Sequence, residues 1–161
     1  EGQFKNGVRN GNGQLILSNK DILEGTFKMG KLEGLGKCYT KKGDYYEGQF
    51  QDNVPCGKGY KKWKDGSEYK GEFSNGQENG YGKKKWIDGQ IYEGYFVNGT
   101  KQGKGTQIFI DGQRYEGDFK DGKYNGKGIY SWPNYMKYIG EFKNNKIEGK
   151  GLWIWPNGDT Y

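Results

Sequence analysis

The chain of 161 residues contains no histidine, which removes the side chain best suited to acid–base chemistry near neutral pH and the commonest zinc ligand. Its reactive groups are two thiols, carboxylates and lysines. Cys38 and Cys56 stand at different places in the repeat that organises the chain, so they do not supply an in-register set of metal ligands or a disulfide scaffold, and free thiols are expected. Glu24, Glu47, Glu93 and Glu116 recur in one column, but paired carboxylates need a cleft to raise one pKa, and a column on an open sheet provides none. The Gly-x-Gly pairs, such as Gly57-Lys58-Gly59, lack the third glycine and the following helix of a nucleotide fingerprint. No enzyme, cofactor or metal site is expected within this segment, and a catalytic domain outside it is left open.

Three glycine columns position everything else. Gly2, Gly25, Gly48, Gly71, Gly94, Gly117 and Gly140 form the first; Gly11, Gly34, Gly57, Gly80, Gly103, Gly126 and Gly149 the second; the third lies two residues beyond each of those, from Gly13 to Gly151. The frame is 23 residues, and seven copies fill the chain without insertion. A period of this length denotes a repeat array. Leu, Ile, Val and Phe are few, yet 17% of residues are aromatic and sit at fixed places in the repeat, so they can be gathered on one surface rather than left in a disordered chain. No 3.6-residue apolar pattern is sustained, which excludes a helical bundle. The longest apolar run, Leu152–Trp155, is far short of the roughly 18 residues a membrane-spanning helix needs. The chain begins with Glu1 and ends where an eighth unit would start, and it is read as a segment of a longer protein.

Within one copy, Tyr46–Phe50 and Gly57–Trp63 are two short extended segments separated by turns. The second turn carries Asp65-Gly66, Asp88-Gly89, Asp111-Gly112 or Asn157-Gly158; the first carries Gly7, Gly30, Gly76, Gly99 or Gly122, with Asn53 and Asn145 in the same column. Asparagine in place of glycine signals left-handed backbone. If Phe50 faces Gly57, then Gly48 faces Gly59 and Tyr46 faces Lys61. Tyr46, Gly48, Phe50, Gly57, Gly59 and Trp63 then share one face, while Glu47, Gln49, Lys58, Tyr60 and Lys62 share the other. Glycines become seats for rings. The expected fold is all-β: an elongated single-layer twisted antiparallel sheet of stacked hairpins, about 14 strands, in one continuous array with units at about 1–22, 23–45, 46–68, 69–91, 92–114, 115–137 and 138–160.

An open sheet has no second layer, so the aromatic face is the expected partner surface: Tyr46, Trp63, Tyr69, Trp86, Tyr92, Tyr115, Trp132 and Trp155, binding an amphipathic helix, an extended peptide or a second array. A second candidate is an acidic-ligand patch of Lys61, Lys62, Lys84 and Lys85, suited to a phosphoinositide headgroup or an acidic tail. Against it, the derived register sets Asp118 opposite Lys127 and Glu141 opposite Lys150, which makes a partly neutralised, solvated surface. Nucleic acid is not an expected partner, since a net charge of +6 over so long a ribbon is a weak field.

The unit Tyr46-Glu47-Gly48-Gln49-Phe50, Gly57-x-Gly59, Asp65-Gly66 resembles the MORN repeat, and the resemblance covers all seven units. Members often carry Arg-His before Gly-x-Gly, where this chain has Pro55-Cys56, Glu78-Asn79 or Tyr124-Asn125. The resemblance implies a single-layer interaction platform, as found in ciliary and cytoskeletal scaffolds and appended to lipid kinases and a lysine methyltransferase, with acidic phospholipid binding proposed for several. The expected function is a non-enzymatic protein–protein scaffold, cytoplasmic, in a cytoskeletal or ciliary (axonemal) assembly. The alternative is a peripheral-membrane, phospholipid-targeting module of a larger enzyme such as a phosphatidylinositol phosphate kinase or a lysine methyltransferase.

Overall fold

The computed structural model describes residues 1–161. It is all-β, one layer of fourteen antiparallel strands that neighbour one another in chain order. The strands are β1 (Gly2–Lys5), β2 (Val8–Ile16), β3 (Ile22–Lys28), β4 (Lys31–Tyr39), β5 (Tyr45–Gln51), β6 (Val54–Lys62), β7 (Glu68–Ser74), β8 (Gln77–Lys85), β9 (Ile91–Val97), β10 (Thr100–Ile108), β11 (Arg114–Lys120), β12 (Lys123–Ser131), β13 (Lys137–Lys143) and β14 (Lys146–Ile154). Two compact units are present, Glu1–Asn79 and Gly80–Tyr161.

Each copy is a hairpin closed by a two-residue turn in which both residues have positive φ, as at Asp52 (52°) and Asn53 (70°). This is the primed turn whose twist matches that of the strands it joins. Asparagine does more here than tolerate the conformation. The Asn53 N–H donates to the Leu32 carbonyl while its side-chain oxygen accepts the Leu32 N–H at 2.6 Å, and Asn145 makes the same pair of bonds with Tyr124. A glycine turn keeps only the backbone half, as between Gly76 and Pro55. Successive hairpins are thereby pinned turn to strand within each unit.

The expected register holds in part. Gly48 pairs with Gly59 and Tyr46 with Lys61, but Phe50 pairs with Pro55; Gly57 faces Phe73 of the next hairpin instead. A bulge at Gly57–Lys58 causes the difference, since Gly57 has a φ of 55° and these two extra residues between Cys56 and Gly59 shift the ladder. The Gln49 side chain caps that bulge by accepting the Lys58 N–H. For the same reason Lys127 faces Glu141 of the following strand, and Asp118 faces Lys104, to which it is ion-paired at 2.8 Å. The polar face is partly neutralised, through partners one strand away from those first derived.

The core is a ladder of rings on one face. Tyr46 lies flat on the Gly48–Gly59 pair, so close that a Cβ on either glycine would stand 2.5 Å from its hydroxyl oxygen. That hydroxyl donates to the Gln49 carbonyl at 3.0 Å, and Tyr69, Tyr92 and Tyr115 repeat the bond three residues on. Phe50 of the same hairpin and Phe73 of the next meet the Tyr46 ring edge-on, with centroids 5.1 and 4.9 Å away. Tyr92 with Phe96 and Phe119, and Tyr115 with Phe119 and Phe142, continue the pattern in the second unit. These edge-to-face pairs each add about 0.5–1.5 kcal/mol beyond burial.

A lid closes the ladder from above, contributed by the residue two before the second glycine. Leu32, Tyr124 and Glu78 are buried there. In the copy where Leu23 replaces the ladder tyrosine, Leu32 itself packs onto the Gly25–Gly36 seat. Tyr124 stacks on Tyr115 at 3.8 Å. Lys101 covers Tyr92: its ammonium lies 5.4–5.5 Å from the centres of the Trp86, Tyr92 and Phe119 rings and donates to Gln107. Burial, and secondarily Lys84, lowers its pKa.

Three outcomes follow from this core. Replacing Gly59 by alanine forces the Tyr46 ring off its seat and is expected to cost about 2–3 kcal/mol in urea unfolding. Tyr135 sits at a φ of 68°, where most copies have glycine, with its side chain in solvent; Tyr135→Gly is expected to stabilise the fold by about 1 kcal/mol. Burial raises the pKa of Tyr46, Tyr69, Tyr92 and Tyr115. Their contribution to stability is therefore complete below the unfolded value of about 10 and is lost as the pH climbs through the higher folded value. Tyrosinate absorbance from the ladder should appear in one cooperative step with the loss of β-sheet circular dichroism; gradual ionisation of the ladder in a folded chain would contradict it.

Candidate functional site

The aromatic face does not present the tyrosines expected of it. Tyr46, Tyr69, Tyr92 and Tyr115 are buried, because glycine floor, flanking phenylalanines and lid residue enclose each ring without a second layer of structure. As contact residues for a partner they are withdrawn. Trp63, Trp86 and Trp132 are half-buried along the margin of that face, and Trp155 is exposed. Lys61 lies over the Trp63 ring at 4.9 Å and Lys84 over Trp86 at 5.7 Å; Trp132 stacks on Trp153.

The four-lysine patch also needs correction. Lys61 and Lys62 are consecutive residues of β6, and Lys84 and Lys85 of β8, so each pair splits between opposite faces of the sheet. Lys61 and Lys84 cover tryptophan rings, whereas Lys62 on the other face pairs with Glu68 at 3.6 Å. One four-lysine surface therefore does not form. No group of three histidine, cysteine, aspartate or glutamate side chains is placed to hold a metal. Cys38 and Cys56 are free and half-buried, and burial raises the Cys38 pKa. No helix is long and apolar enough to cross a membrane.

The face opposite the ladder holds a large concavity. In the 80–161 unit a groove of about 680 Å³ crosses the strands. Its floor is backbone of the glycine row, including Gly94, Gly105, Gly117 and Gly128, whose Cα positions would direct any side chain towards the ladder. Two rows of side chains form the walls. One runs Glu93, Thr106, Glu116, Ile129, Ile139, each the cross-strand partner of the next, and Leu152 follows Ile139 in the same register. The other wall includes Tyr81, Tyr95, Lys104, Lys127, Glu141 and Lys150. Tyr81 and Tyr95 meet edge-on at 5.4 Å and stay about half exposed, at 47% and 51%. A smaller concavity of about 260 Å³ with the same construction occupies the 1–79 unit, walled by Glu24, Lys37 and Glu47 on one side and Leu35 on the other.

Sequence reasoning placed the exposed apolar surface on the wrong side. The signal was present: Ile129, Ile139 and Leu152 stand in columns that elsewhere hold Glu47, Lys37, Lys70 or Glu93. Three aliphatic departures adjacent across neighbouring strands are not a packing requirement of the ladder, which lies on the other face. They were not recognised because their adjacency depends on the register between hairpins.

Comparison with known proteins bears on the architecture. Among solved structures, the TCP domain of SAS-4 from Drosophila melanogaster, solved in complex with a proline-rich motif of Ana2, superimposes with a TM-score of 0.57 at 11% identity, over 93% of this chain and 88% of that one. The G-box domain of the microcephaly protein CPAP gives a TM-score of 0.42 at 13% identity, over 94% and 97%. At these identities the first shows a shared fold and nothing more. No curated protein matches the sequence. The MORN repeat family model matches residues 1–22, 24–45, 46–68, 69–91, 92–114, 115–137 and 138–160. With its hairpins, glycine seats and ladder in place across nearly every residue, the chain belongs to the MORN-repeat family.

Proposed function

We propose that this array is a non-enzymatic protein-interaction module that docks a segment of a partner protein in the groove opposite the ring ladder. The observation that carries the reading is the groove itself: a concavity of about 680 Å³ walled by exposed charged, aromatic and aliphatic side chains. The ladder face uses its rings to hold the sheet together, which leaves the groove face free to vary. Concave surfaces along stacked repeats serve as extended binding sites in other repeat architectures. The setting we propose, a cytoskeletal or ciliary assembly, is supported by the recurrence of MORN arrays in such scaffolds. The structural neighbour that carries a proline-rich motif is a further precedent for peptide docking on this fold.

A random peptide library displayed on phage tests the reading. The wild-type array should enrich a defined set of peptides, and Ile139→Glu, which places a charge in the groove wall, should reduce their retention at least tenfold, about 1.4 kcal/mol. The pair Trp63→Ser and Trp86→Ser on the ladder side should leave retention unchanged. Failure to enrich any peptide, or enrichment indifferent to Ile139→Glu and lost with the tryptophans, would move the docking surface elsewhere.

A further inference from the structure

We infer that the groove of the 80–161 unit takes a proline-rich segment in the polyproline II conformation, with basic side chains at positions i and i+3 and an apolar one at i+6. The inference rests on the groove being the docking surface and specifies what occupies it.

Spacing comes first. Glu93, Glu116 and Ile139 hold the same column in three successive copies and lie in one cross-strand row, with Thr106 and Ile129 between them. Strands stand about 4.8 Å apart, so these three positions follow one another at about 9.6 Å. An occupant lying along the groove must present one side chain per copy to the same wall. A polyproline II helix repeats every three residues and advances about 9.3 Å in doing so, which keeps i, i+3 and i+6 on one side and within about 0.6 Å of the row over two copies. An α-helix returns to the same side every seven residues, about 10.5 Å, and drifts about 1.8 Å over the same distance. A β-strand matches the length at three residues but turns alternate side chains to opposite sides, so i and i+3 cannot both face the wall. Only the polyproline II helix satisfies both distance and direction.

Charge and chemistry agree with it along the Glu93–Ile139 wall, whereas the opposite wall carries Lys104, ion-paired to Asp118, with Lys127 and Lys150. Glu93 and Glu116 are separated in their row by an uncharged Thr106, whereas in the 1–79 unit Lys37 is the cross-strand neighbour of both Glu24 and Glu47. The internal partners of the two carboxylates are Lys83, paired with Glu93 at 3.4 Å, the Tyr81 hydroxyl, which donates to Glu93 at 3.3 Å, and Arg114, paired with Glu116 at 2.6 Å, and all of these side chains are substantially exposed. Such surface pairs are worth about 0–1 kcal/mol and are readily exchanged for a ligand's cation. Beyond them the row turns apolar: Ile129, Ile139 and Leu152 are 38%, 39% and 41% exposed. Across the groove, Tyr81 and Tyr95 offer exposed ring faces and edges, the kind of surface on which proline-rich helices dock. The floor carries paired strands whose ladder bonds run within the sheet. An occupant rich in proline has few N–H groups to satisfy there.

The test is fluorescence anisotropy with a labelled nine-residue peptide carrying arginine at its first and fourth positions, leucine at its seventh and proline elsewhere. Saturable binding is expected, with about tenfold weakening for Glu93→Gln/Glu116→Gln and similar weakening for Tyr81→Ser/Tyr95→Ser. A peptide with glutamate in place of both arginines should bind Glu93→Lys/Glu116→Lys and not the wild type. All of these side chains are exposed, and thermal unfolding of each variant checks that the sheet is intact. Absence of saturable binding overturns the inference, as does equal binding of a peptide whose arginines stand four residues apart or of a helical peptide with charges seven apart. If the phage library is enriched but for helical or unspaced sequences, the groove remains the docking surface and the polyproline II occupant is rejected; if nothing is enriched, the docking surface itself fails.

Discussion

The rest of the structure depends on a tyrosine ring lying flat on two facing glycines and donating its hydroxyl to a carbonyl three residues on. For Tyr46 the floor is Gly48 and Gly59, and the acceptor is the Gln49 carbonyl, which lies at the bulge where the hairpin register shifts. One side chain thus satisfies a polar group, fixes the bulge and buries its own ring. A single-layer sheet ordinarily lacks the volume for a core. Here the ring occupies the space that two Cβ atoms would take, and the neighbouring phenylalanines close its edges, so the core is built within the thickness of side chains on one face. Copy-to-copy stability then follows from rings shared between hairpins, as Phe73 is shared by Tyr46 and Tyr69, in keeping with the nearest-neighbour energetics of repeat arrays.

That solution divides the sheet by purpose. Every position pointing at the ladder is constrained in size and shape, including the lid positions, where Leu32, Lys101 and Tyr124 do one job with different chemistry. Positions pointing the other way are constrained only to be compatible with a strand. They can therefore change charge and polarity from copy to copy, and they do: the column containing Glu93 and Glu116 becomes Ile139, and the one containing Lys37 becomes Thr106 and then Ile129. Specificity in such an array resides in departures from the repeat rather than in the repeat itself.

Much of this was legible in the residues. The 23-residue frame, the two turns and the glycine columns are local properties of backbone conformation, and Gly–Gly and Tyr–Lys pairing followed from counting across a turn. Phe50 against Gly57 was misjudged because a bulge adds two residues, Gly57 and Lys58, to one strand without leaving a distinct mark beyond one more glycine. The tyrosines were assigned to the outside because an open sheet seemed to leave them uncovered. The cover comes from the column containing Leu32, Pro55, Glu78, Lys101 and Tyr124, whose members share no chemical type and so show no pattern to a reader of the sequence.

The amino-acid sequence by itself determined the repeat, the fold class and the membership of an interaction-module family, because period, turn residues and alternation act within a single hairpin. The tertiary structure decided which face is core and which is open. That choice depends on how rings from one hairpin meet lids and edges from the next, and on a register between hairpins that brings Glu93, Thr106, Glu116, Ile129 and Ile139 into one row. Those relations link residues on successive strands, and they exist only once the strands have paired.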